Sequence, residues 1–189
     1  GGPSAGADPQ RRCMATVVEA CVKIRTERDR GMWLVAKPIP GGMTGALVQS
    51  QASRESVRVV NGISDIELAE LIGSAEIACV PSLYEGFSLP TVEAMACGTP
   101  LVVSRGGAIP EVVGQDGLCA DLVTPGDVGE LADAIGALLD DPARRTAMSR
   151  AGRLRALERY SWTSVAVATV GAYERAIAGP HVDSKARTD

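Results

Sequence analysis

Short apolar runs alternate along the chain with longer stretches in which apolar residues recur every three or four positions. From Gln10 to Arg30, the residues Met14, Val17, Val18, Cys21, Val22 and Ile24 fall mostly on one stripe, the period of an amphipathic helix. "MWLVA" (32–36) reads as a buried strand, stopped by Pro38, Pro40, Gly41 and Gly42, and Thr44–Gln51 as a short helix. "VRVV" (57–60) is a strand ending at Asn61-Gly62. Ser64 or Asp65 caps the helix "DIELAELIGSA", with Glu67 near the capping-box position. A strand follows at "EIACVP" (76–81), then a helix over Leu89–Cys97 stopped by Gly98-Thr99-Pro100, then the strand "LVVS" (101–104). Ile109–Val113 is a turn or short helix after Gly106-Gly107, and "LCADLV" (118–123) a last strand. Three helices close the pattern: Asp127 to Leu139, Asp141-Pro142 to about Tyr160, and Ser161 or Thr163 to about Ile177.

Strands this apolar, separated by amphipathic helices, predict an α/β chain: a Rossmann-like α/β/α domain whose parallel sheet is covered on both faces. The domain is placed at 10–178, between an irregular N-terminus (1–9) and a flexible tail (179–189). Ligands of such sheets bind at the carboxyl ends of the strands. Composition agrees: hydrophobic residues make up 46% of the 189 and aromatics only 3%, so the core is built of Ala, Val, Leu and Ile. A net charge of −4 argues against a nucleic-acid partner, which calls for a basic footprint. The cysteines number five, no CxxC occurs, and the single His181 lies in the polar tail, so no zinc set assembles and no metal is expected. The cysteines read as small buried hydrophobes in a reducing compartment. With no signal peptide and no membrane-spanning run in the sequence, the expected location is cytoplasmic. The helix after Pro142 carries Arg144, Arg145, Arg150, Arg153, Arg155 and Arg159. A solvated face is the favoured reading. Peripheral contact with an anionic inner-membrane face is the alternative.

Candidate chemistry concentrates in "YEGFSLPTVEAMACGTP" (84–100). The loop before Leu89 runs off a strand into a helix whose first turn holds Pro90, which has no N–H to lose. The amides of Phe87, Ser88 and Leu89 are then free to face an anion. Gly86 lets a ligand approach the backbone. Glu85 lies just before this turn and Glu93 one turn inside the helix. Carboxylates accept hydrogen bonds from sugar hydroxyls, so two of them around an anion site suit a nucleotide-diphosphate sugar. A surface Glu93 and a Glu85 that merely faces the helix dipole fit the spacing equally well. Arg105 faces either phosphate or solvent. Trp33 and Trp162 read as packing residues, and Asp140-Asp141 as favouring the next helix start.

The stretch "PSLYEGFSLPTVEAMACGTPLVVSRGGAIPEVVG" (81–114) closely resembles the signature of the retaining glycosyltransferase family GT4, of GT-B architecture, and the likeness extends from about Asp8 through "RYSW" (159–162) to the last helix. The resemblance implies the C-terminal, donor-binding half of a GT-B enzyme. Glu85 would contact the donor sugar, and is the candidate for a direct part in the chemistry. Glu93 would hold the ribose, and the backbone around Gly86, Phe87, Ser88 and Leu89 would touch sugar and diphosphate. Asn61, Gly62 and Ile63 would form part of the base-binding loop. No cofactor or metal would be needed, the nucleotide sugar being the substrate.

Two departures from the family pattern stand out. The basic residue and Lys-Gly that grip the diphosphate are represented by Arg12 in the Lys position and Cys13 in the Gly position, with Arg11 beside them. The glycine after the second strand is replaced by Ala36. The larger departure is an absent N-terminal acceptor domain, and "GGPSAGAD" has little strand character where the first strand of the donor domain is due, so that strand is expected to be truncated. In the order 3-2-1-4-5-6 this leaves two ladders unpaired. The chain alone is then expected not to transfer sugar, and the last helix to expose Val165 and Val167. A non-catalytic nucleotide-sugar-binding fragment is the second reading. A dinucleotide-binding dehydrogenase domain is disfavoured, since "RRCMAT" stands where G-x-G-x-x-G belongs.

Overall fold

The computed structural model describes residues 9–28, 34–36 and 57–178. In chain order its elements are α1 (Pro9–Arg28), β1 (Leu34–Ala36), β2 (Val57–Val59), α2 (Asp65–Ser74), β3 (Ala78–Val80), α3 (Leu89–Cys97), β4 (Leu101–Ser104), α4 (Ile109–Val113), β5 (Asp121–Val123), α5 (Val128–Asp140), α6 (Pro142–Tyr160) and α7 (Trp162–Ala178). The helix expected at Thr44–Gln51, the segment 1–8 and the tail 179–189 lie outside the described residues.

Local chemistry sets the helix starts. Ser64 caps α2 with a full capping box: its amide donates to Glu67 Oε2 at 2.7 Å, and its Oγ accepts from the Glu67 amide at 3.3 Å. Asp127 caps α5 through the Glu130 amide at 2.9 Å, and Asp141 caps α6 through the Arg144 amide at 2.8 Å.

Among the described residues every strand pairing is parallel: β1 with β2, β3 with β4 and β4 with β5. Strand β4 is buried along its whole length, and its side chains alternate between two cores. Val102 packs with Val17, Cys21 and Ile24 of α1 and with Leu131, Ile135 and Leu138 of α5. Leu101 and Val103 pack with Met95 of α3, Ile109 and Val113 of α4 and Ala156 of α6. Helices therefore cover both faces, the α/β/α architecture that the continuous apolar strands predict.

The sheet falls into two hydrogen-bonded parts, β1-β2 and β3-β4-β5. Among the described residues no strand joins them. In a sheet of order 3-2-1-4-5-6, the gap between them is the place of the first strand.

Helix α6 runs antiparallel along α3. Gly152 lies against Met95, Arg153 donates to the Ala96 carbonyl at 2.7 Å, and Tyr160 reaches Phe87 just ahead of α3. The solvated-face reading holds for Arg150 and Arg159 and needs correction for four of the arginines on α6. Arg144 pairs with Asp121, and Arg145 donates to the Leu138 and Leu139 carbonyls at 2.8 and 2.6 Å. Arg155 donates to the carbonyls of Val112 and Glu111 at 2.6 and 2.7 Å. The long guanidinium side chains reach carbonyls left open at the ends of neighbouring helices, so most of this charge fastens α6 to the domain.

Helix α7 has no buried residue, and Val165 and Val167 are 42% and 69% exposed, as the sequence led us to expect. Trp162 at its start is 90% exposed, so it is no packing residue: α7 stands clear of the core it would need. Trp33 lies outside the described residues. Cys21 and Cys79 sit in the core between α1 and β3, where burial pushes their thiols up to about 11 and about 12 and keeps them unreactive. Among the described residues no helix is long and apolar enough to cross a membrane.

Candidate functional site at the start of the third helix

Among the described residues four connections leave the carboxyl ends of strands: residues 60–64 after β2, 81–88 after β3, 105–108 after β4 and 124–127 after β5. The second and third meet backbone to backbone. The Glu85 carbonyl accepts a hydrogen bond from the Ala108 amide at 2.9 Å. A Cβ on Gly107 would stand 2.2 Å from the Glu85 carbonyl oxygen, and Gly107 has φ +60°. A Cβ on Gly106 would stand 2.8 Å from the Leu83 oxygen. The Gly106-Gly107 pair is what lets these loops touch.

Glu85 is half-buried, and its Oε1 accepts a hydrogen bond from Ser82 Oγ at 2.7 Å. Gly86 is exposed, lies outside the left-handed region, and a Cβ there would meet nothing within 4 Å. Phe87, 44% exposed, sets its ring edge-on to Tyr160 at 5.5 Å, and the Tyr160 hydroxyl donates to the Val112 carbonyl at 3.1 Å.

Ser88 precedes α3 with φ 72° and ψ 72°, and it alone among the described non-glycine residues has positive φ. A serine in this position normally takes extended dihedrals and caps the helix amides with its hydroxyl. Here the buried Ser88 Oγ pairs with Thr91 Oγ1 at 2.8 Å, and the Ser88 carbonyl accepts from the amides of Thr91 and Val92. Left-handed Ser88 followed by helical Leu89 forms a nest, which turns successive amides to one side. Among the described residues nothing accepts a hydrogen bond from the amides of Gly86, Phe87, Ser88 or Leu89.

Glu93 shares the exposed face of α3 with Leu89 and makes no hydrogen bond or ion pair to a described residue. Burial first, then the nearby Glu93 charge, raise the Cys97 thiol. Asn61 and Gly62 are exposed after β2, with Gly62 at φ 69°, and Ile63 is half-buried. Arg12 lies in the first turns of α1, its side chain outside the described residues. Helix α1 runs unbroken through Cys13, so the replaced glycine interrupts nothing. Arg105 is exposed, in keeping with its reading as a solvated loop residue, and pairs with Asp116 at 2.8 Å; Asp116 also accepts from the Leu122 amide at 2.9 Å. Burial works against ionisation of Asp116 most strongly, but the Leu122 and Gly117 amides and Arg105 together hold its carboxyl below the usual range.

The chain matches the family model of the glycosyl transferases group 1 over residues 6–141. It belongs to that family. The MMP alpha-(1->4)-mannosyltransferase of Mycolicibacterium hassiacum is 52% identical over 174 residues, which cover 92% of this chain and 42% of the relative. Among solved structures, the C-terminal domain of a glycosyl transferase group 1 family protein from Francisella tularensis superposes with TM-score 0.69 at 23% identity, covering 81% of this chain and 82% of that one. Anabaena HepE, solved in complex with UDP-glucose, superposes with TM-score 0.68 at 21% identity over 87% of this chain and 45% of that one. At these identities the superpositions speak for the fold: one Rossmann-like half of a GT-B glycosyltransferase. The chain thus spans less than half the length of its mannosyltransferase relative.

Sequence reasoning missed Ser82, Thr91 and the partnering of Glu85 by Gly107. The Ser-x-x-Glu spacing was the available signal for the first, since those side chains reach each other across one turn of loop.

Proposed function

We propose that this chain is the donor-binding half of a retaining, metal-independent glycosyltransferase of the GT4 kind, and that the connection from β3 to α3 holds a nucleotide-diphosphate sugar. The observation that carries this reading is the run of four amides, Gly86 to Leu89, without an acceptor at a helix start, with carboxylates on either side of it. The nest and the helix dipole favour the diphosphate. Glu85 contacts sugar hydroxyls and Glu93 the ribose hydroxyls, each carboxylate accepting. Asn61, Gly62 and Ile63 border the base, and Arg12 supplies positive charge to the diphosphate. Neither conformation nor crowding within the protein calls for glycine at position 86, which favours close approach of a ligand there. The mannosyltransferase relative and the UDP-glucose complex of HepE are in keeping with such a donor.

In this reading the wall of the cleft that holds the acceptor belongs to an N-terminal half such as the longer relatives have room for. Transfer with retention at the anomeric carbon needs that wall, to place the acceptor and exclude water.

Calorimetry in the presence of a chelator, with UDP, UDP-glucose, GDP and GDP-mannose, tests the assignment. Glu93→Ala is expected to weaken the nucleotide diphosphate and the full donor alike, by about tenfold, the scale of a charge-assisted hydrogen bond. Glu85→Ala is expected to weaken only the full donor. Identical responses of the two variants to both ligand types overturn the division of roles.

A further inference from the structure

We propose that Ser82 is a positioning residue that fixes the Glu85 carboxylate for the donor sugar, an inference that rests on the donor-binding reading above.

A glutamate on a loop has three side-chain torsions to lose when it binds, and ordering a side chain of this length costs on the order of 1–2 kcal/mol. Glu85 is restrained before any ligand arrives. Its main chain is held by the Ala108 amide at 2.9 Å and hemmed in by Gly107, where even a methyl group would not fit. Its side chain is held by the Ser82 hydroxyl at 2.7 Å from Oε1. No described residue donates to Oε2. One carboxylate oxygen is therefore anchored and the other is left to accept from a hydroxyl. A carboxylate ordered in advance binds with less entropic loss than a free one. Ser82 lies at the carboxyl end of β3, on the rigid side of the loop, which suits it to this work.

A hydroxyl that only staples the loop would have a different signature: its removal would lower stability and weaken every ligand of the loop equally. Positioning of Glu85 concerns the sugar alone, because the diphosphate meets backbone amides.

The test compares Ser82→Ala and Ser82→Thr with the parent 189-residue chain. The probes are UDP against UDP-glucose and GDP against GDP-mannose, with a chelator present, and urea midpoints are recorded alongside. The quantity read is the ratio of full-donor to nucleotide-diphosphate affinity. Ser82→Ala is expected to lower that ratio by about threefold to tenfold while leaving nucleotide-diphosphate affinity unchanged. Ser82→Thr, which keeps the hydroxyl, restores the ratio. An unchanged ratio in Ser82→Ala, or an equal loss for both members of a pair, overturns the assignment of Ser82 and leaves the donor site standing. A parent chain that binds neither pair overturns the donor-binding reading, and this proposal with it.

Discussion

Gly107 and Gly86 lie in the same pair of touching loops but are glycines for opposite reasons. Gly107 has φ +60° and no room for a Cβ, whereas Gly86 has neither constraint. Gly107→Ala is expected to destabilise the domain by about 2–4 kcal/mol, since a β-carbon would push the two loops apart. Gly86→Ala should change stability by less than about 1 kcal/mol. Urea denaturation of both variants checks this, and equal midpoints would contradict the packing described. Ser88 shows where residue-level reading stops. A serine before a helix looks like an ordinary cap, and only the packing of Ser88 against Thr91 reveals a left-handed residue. The candidate carboxylates and the amide run were legible because they depend on chain order. Ser82 and Gly107 were not, because their roles depend on what a second loop and a folded-back side chain touch.

At the scale of elements, β4 and α4 have the bounds the sequence predicts, and α3 spans Leu89–Cys97 as expected. Their stops are local: Pro90 at the first turn, Gly98 in the left-handed region at the end, Gly114 closing α4. Strands β3 and β5 are shorter than their apolar runs, because an apolar run reports burial and pairing needs a neighbour. Arg145, Arg153 and Arg155 of α6 were misread as solvated because their partners are carbonyls 6 to 57 positions away. Asp116 joins β5 to the loop after β4, and its effect on stability depends on pH. Its folded-state carboxyl is depressed, so its contribution is present above the ordinary carboxylate range and is lost as pH falls through the folded value. Asp121 works the other way. Burial raises its carboxyl despite Arg144, so protonation there favours the fold. Asp116→Asn is expected to lower the urea midpoint at neutral pH and to converge with the parent protein as pH falls through the depressed folded-state carboxyl range. A constant difference across that range would contradict the account of Asp116.

For the molecule as a whole, the two-faced sheet was legible because the strands are apolar throughout and carry no polar face for solvent. Among the described residues the strands pair as β1-β2 and β3-β4-β5. What joins the parts in a longer relative, and what meets the exposed side of α7, concern surfaces beyond the donor site. That site rests on the better-joined sheet, β3-β4-β5, and on the two loops locked together by Gly106, Gly107 and Ala108. Its central claim is that the amides of Gly86, Phe87, Ser88 and Leu89 receive the diphosphate sugar. An amide NMR titration of the nitrogen-labelled chain with UDP-glucose and GDP-mannose, in chelator, tests this residue by residue. The predicted result is a saturable shift of those four resonances with one of the two donors. Donor binding that leaves the four resonances in place while others move would contradict it.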